Sequence, residues 1–96
     1  MLTYRSAYRF LPDGVHGEVL DFAGVVTCGK DIDEARSLLA GALVDMAETN
    51  LLLGEALPTP DPNSTDAEAD ILEPIHLILN ASTRYTVLPE LVYEAA

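Results

Sequence analysis

The chain has 96 residues, 49% of them hydrophobic and 22% charged, with 16 acidic residues against five basic ones and a formal net charge of -11. That length supports one hydrophobic core and excludes a multidomain reading, while the charge repels a phosphate backbone and argues against nonspecific nucleic-acid binding. The lone cysteine leaves no internal disulfide, the first residues lack the order of a signal peptide, and Asp45, Glu48, Gly54 and Pro58 interrupt the longest apolar stretches, so a soluble, cytoplasmic protein is expected.

Leu2 to Leu11 alternates, with Leu2, Tyr4, Ser6, Tyr8 and Phe10 on one side and Thr3, Arg5, Ala7, Arg9 and Leu11 on the other, the period of a half-buried strand. Pro12, Asp13 and Gly14 suit a chain reversal. Val15 to Asp21 reads as a second strand and Gly24 to Gly29 as a third, joined by Phe22 and Ala23 in a short link, so an antiparallel meander is expected.

Asp31 can accept the free N–H groups of a helical first turn while Glu34 reaches back, a capping box with aspartate in place of serine or threonine. Ile32, Ala35, Leu38, Leu39, Ala42, Leu43, Met46 and Ala47 then recur at helical spacing, and an amphipathic helix is expected to end near Gly54. Gly41 inside it suggests a close approach of helix to sheet. Residues 54–72 are rich in proline and acids and read as a surface linker, with Thr65 and Glu68 spaced for a single helical turn. Pro74 to Ala81 reads as a fourth strand, with Ile75, Leu77 and Leu79 on one face and His76 and Ile78 on the other. Aliphatics on both faces point to a strand inside the sheet or at an oligomer interface, not a solvated edge. Residues 1–82 thus form the expected domain, and 83–96 an extended C-terminal tail. Strand-four residues Ile75, Leu77, Ile78 and Leu79, with Leu88 of the tail, are the expected oligomer contacts of a homodimer or larger assembly.

Little in this chain points to chemistry. One cysteine and two distant histidines do not make a zinc site. His16 and Glu18 share a strand face but Asp21 lies on the other, which tells against an acid–base group. Cys28 has no second cysteine, and no phosphate-loop lysine or complete dinucleotide fingerprint accompanies the glycines. Asn63-Ser64-Thr65 is a polar loop, and His76 a tolerated strand residue. No cofactor, metal or enzymatic activity is expected. Arg5 and Arg9 form the one basic patch, whereas Asp61, Asp66, Glu68 and Asp70, continued by Glu73, make a negative strip suited to a basic protein partner.

Residues 15 to 35 carry a more specific pattern. Asp21, a short turn ending in Gly24, then Thr27, Gly29, the helix start at Asp31, and Glu34-Ala35 resemble the core of HicB-type antitoxins, with looser similarity from Tyr4 to about Pro62. Ala23 stands where that family usually has proline. The resemblance implies an α+β, partial ribonuclease-H-like β-β-β-α-β fold and binding to a HicA-type toxin, a small basic ribonuclease. Many such antitoxins continue into a basic DNA-binding segment, but residues 63–96 hold one base, Arg84, and no second long amphipathic helix. Operator binding by this chain alone is therefore not expected, and the alternative to an antitoxin is an orphan acidic interaction or regulatory domain without catalytic activity.

Overall fold

The computed structural model describes residues 1–78 of the chain. They form strands β1 (Leu2–Leu11), β2 (Gly14–Val19) and β3 (Val26–Gly29), helix α1 (Ile32–Leu52) and strand β4 (Ile71–Leu77). The four strands make one antiparallel sheet in the order β3-β2-β1-β4, and α1 lies on one face of it against β3, β2 and, through one ion pair, β4. This is the α+β architecture, β-β-β-α-β in chain order, that the sequence implies.

The alternation in β1 sets the layers. Tyr4, Ser6 and Tyr8 are buried on the helix side with Val15, Val19 and Leu77, and α1 supplies Ala35, Leu39, Leu43 and Ala47 at three- and four-residue intervals. Phe22 and Val25, from the turn after β2, complete this core, and the Phe22 ring stands 5.7 Å from that of Tyr4. Each of the valine, leucine and phenylalanine side chains among these, once fully buried, contributes about 1.5–3 kcal/mol of apolar transfer free energy. The helix stripe is narrower than its spacing suggests, because Leu38 turns toward solvent while Ile32, Ala42 and Met46 only flank the core.

Both ends of α1 are closed by local chemistry. The Glu34 N–H donates to Asp31 Oδ1 at 2.8 Å, and the Glu34 carboxylate accepts from the Lys30 N–H, one residue earlier than a standard capping box. At the other end Gly54, at φ +76°, lets its N–H reach the Leu51 carbonyl and the Glu55 N–H reach that of Asn50, the paired bonds of a Schellman motif. Gly41 does not mark a close approach: it is exposed, and a Cβ added there meets nothing within 4 Å. The close approaches lie at Gly17, whose hydrogen side is covered by the Tyr8 ring, and at Gly29, where an added Cβ would stand 2.6 Å from the Ala35 nitrogen.

Strand four begins three residues earlier than its sequence pattern indicates and closes one edge of the sheet. Pro74 sits inside it opposite Arg5, whose carbonyl accepts from Leu20 on the β2 side. Main-chain groups of Arg5 and Pro74 therefore face away from each other, and a missing N–H at Pro74 costs the ladder nothing. The linker accordingly ends at Asp70, not at residue 72. Leu79 and Leu88, with the rest of the expected tail, lie outside the described residues.

Candidate partner-binding surface

Residues 55–70 do not hang free of the sheet: they form a strap pinned at several points. The Tyr4 hydroxyl donates to the Pro58 carbonyl at 2.7 Å, and Asp21 accepts from the Asp61 N–H at 2.8 Å and from the Ser64 hydroxyl. Arg5 then donates to the Pro62 carbonyl, and Arg9 pairs with Asp66 at 2.9 Å and with Glu68 at 3.4 Å, so the strap crosses the sheet face opposite α1 over β1. Ala7, between the two arginines on that face, is consequently buried. The Nε atoms of Arg5 and Arg9 are also buried, with no hydrogen-bond partner among the described residues, a cost of covering them.

Two of the strap's acids shape its turns. Asp61 accepts from the Asn63 N–H and Asp66 from the Glu68 N–H through side-chain oxygens, while their carbonyls take the N–H groups of Ser64 and Ala69. The expected helical turn at Thr65 is therefore an aspartate-nucleated turn at Asp66. The Glu68 N–H and the Arg9 guanidinium hold the Asp66 carboxyl below its ordinary pKa, and the same pairing raises that of Arg9. Asp70 accepts from the Phe10 N–H at 2.7 Å, replacing the strand partner that β1 lacks beyond the start of β4. Of the four acids expected to face a partner, Asp61, Asp66 and Asp70 thus already serve the strap through short hydrogen bonds, while Glu68, 3.4 Å from Arg9, keeps its side chain 77% exposed.

Of the remaining motif residues, Gly29, Asp31, Glu34 and Ala35 lie around the start of the helix, whereas Gly24 lies against its C-terminal half at Met46. Gly24, at φ +90°, lets the chain reverse before β3, and a Cβ added there would stand 3.0 Å from the Met46 methyl; Gly29 admits the first turn of α1, and Ala35 is fully buried under it. Asp21, Asp31 and Glu34 make the hydrogen bonds given above, so the motif is a set of structural supports, with Thr27 paired to Gly17 at its centre. Arg36, which the sequence places on the polar side of the helix, forms two 2.9 Å hydrogen bonds to Glu73 and fastens α1 to β4. No local spacing signals that pair.

Nothing among the described residues assembles a reaction centre. His16 Nε2 lies 3.6 Å from Glu18 Oε1 on the open side of the sheet, Cys28 is exposed across from His16, and no group of three or more His, Cys, Asp or Glu is placed to hold a metal ion. His76 Nδ1 is 3.0 Å from the Thr3 hydroxyl across the strand pair. No helix of the described residues is long and apolar enough to cross a membrane. Of the expected oligomer residues, Leu77 is a core side chain opposite Leu2 and Ile75 packs against the same core, so neither is offered to a second chain; Ile78 is 68% exposed.

No family model and no curated protein matches the chain. Among solved structures it superposes on the N-terminal domain of the Burkholderia pseudomallei antitoxin HicB with a TM-score of 0.65 and 23% identity, over 81% of this chain and 100% of that one. The fold is that of the HicB N-terminal domain. A chain of a HicA3 and HicB3 toxin-antitoxin complex has the same fold, with a TM-score of 0.64 and 22% identity over 78% of this chain and 96% of that one.

Proposed function

We propose that the chain is a HicB-like antitoxin domain that binds a small basic HicA-type ribonuclease toxin and neutralises it by direct contact. The observation that carries this reading is the match of the fold to the whole of a HicB N-terminal domain, together with the spacing of Asp21, Gly24, Thr27, Gly29, Asp31, Glu34 and Ala35. One of the similar structures is itself described as a toxin-antitoxin complex. A net charge of -11 suits the partner, because long-range attraction to a basic protein raises the rate of encounter. The domain acts without catalysis of its own: its motif carboxylates are committed to caps and turns. Glu68 is the strap acid best placed to meet the toxin, while Asp61, Asp66 and Asp70 hold the strap that presents it. Action in the cytoplasm, and a homodimer that uses Ile78 and the residues beyond it, complete the proposal.

Co-expression with a HicA-type toxin encoded beside the chain tests this. Affinity purification through a tag on the chain should recover the toxin in a fixed ratio that survives gel filtration at about 0.15 M salt. Recovery of the chain alone, with the toxin present in the lysate and folded, contradicts the reading and leaves an acidic interaction domain of another kind.

A further inference from the structure

The two edges of the sheet are not equivalent. Leu20 donates to the Arg5 carbonyl, which assigns the odd-numbered residues of β1 to hydrogen bonding with β2 and the even-numbered ones to β4. By the register of β4, the main-chain groups of Leu72, Pro74 and His76 therefore point away from the sheet, and Pro74 removes the central donor of that row. A proline at that place blocks the addition of another strand.

At the opposite edge Val19 donates to the Val25 carbonyl, so Val25, Thr27 and Gly29 bond to β2 while the N–H and C=O groups of Val26 and Cys28 point outward. No described residue pairs with them, and the Val26 side chain is 53% exposed. This edge has neither proline nor bulge. Glu18 lies across from Val26 on the same face, Lys30 follows directly after β3, and the Asp33 carboxylate of α1 is turned to Arg36 at 3.8 Å.

We propose that the β3 edge is where an extended segment of the basic toxin adds to the sheet, by main-chain hydrogen bonds to Val26 and Cys28 and with a basic side chain directed to Glu18. A second copy of this chain is the poorer occupant, since both copies carry a net charge of -11 and repel each other. The identity of the partner rests on the proposed function, whereas the choice of edge rests on the sheet.

The test uses the full chain and a co-expressed HicA-type toxin. Val26→Pro removes an outward N–H that the sheet does not use, and should weaken toxin binding by at least about tenfold in titration calorimetry. His76→Pro, at an outward position of the β4 edge, should leave affinity within about twofold, and both variants should keep the wild-type circular dichroism spectrum. In the unaltered chain the Val26 and Cys28 amides should exchange rapidly with deuterium when free and slowly in the complex, a measurement that does not depend on either variant folding. Wild-type binding with an unchanged affinity of a folded Val26→Pro chain, or with fast exchange at both amides in the complex, overturns the edge assignment and leaves the antitoxin reading standing. Protection of these amides in the free chain, whether at low concentration by its own residues or at high concentration by a second copy, overturns it as well. No complex at all with the wild-type chain removes both proposals.

Discussion

Gly29 and Gly41 show how one residue type serves opposite ends within a dozen positions. At Gly29 an added Cβ would press on the backbone of the first helical turn, 2.6 Å from the Ala35 nitrogen, and backbone cannot yield as a side chain can. Gly29→Ala should therefore cost about 1–3 kcal/mol, in line with overpacked sites elsewhere, and lower the urea midpoint. Gly41 has open space around it in an exposed helical position, so Gly41→Ala should raise stability by about 0.4–1 kcal/mol through the unfolded chain's lost freedom; a lower midpoint would mean that the helix packs differently at that turn. Asp31→Ala should cost about 0.5–2 kcal/mol, because the first turn of α1 loses its acceptor at the Glu34 N–H. Sequence reasoning placed the cap and the C-terminal glycine, whose signals are local, but misread Gly41: a glycine in a helix states only that no side chain is there, not whether something occupies the space.

At the scale of elements, β1 and α1 were legible because ten and 21 residues each repeat one period. Strand four is legible in its alternation but not in its limits, since Pro74 reads as a boundary in sequence whereas an edge position tolerates it inside the strand. The strap was legible only as a linker. Its anchors join residues about 40 to 57 positions apart, Asp21 to Ser64 and Arg9 to Asp66, and no window of sequence contains both partners. Linkage gives the strap a pH dependence. The Asp66 carboxyl titrates lower in the folded chain than in the unfolded one, so its contribution is complete above the ordinary carboxylate value of about 3.9 and is lost as pH falls through the lower folded value. Acidification below about pH 4 should loosen the strap first, seen as faster amide exchange at Glu68 and Ala69, whose N–H groups bond to Asp66. In Asp66→Asn the same amides should respond less to acid; an equal response would contradict the role of Asp66 as the titrating anchor.

At the scale of the whole molecule, acidity and architecture bear on the same function from different sides. Among the described residues, the core and the motif build a sheet with one helix on one face and a pinned acidic strap on the other, leaving an unpaired edge at β3 and a proline-interrupted edge at β4. On the proposed function, such a body covers a basic protein. With magnesium or manganese supplied, the purified chain should not cleave RNA or RNA–DNA hybrids; cleavage that survives purification and vanishes in Asp21→Asn would turn the strap anchor into a reacting group and contradict this view. Ribonuclease inhibition tests the central claim most directly. With a labelled RNA and a HicA-type toxin at fixed concentration, added chain should reduce cleavage to background at about one equivalent, and the inhibition should weaken as salt rises because charge attraction steers the encounter. Undiminished cleavage in the presence of a tenfold excess of folded chain would contradict the account.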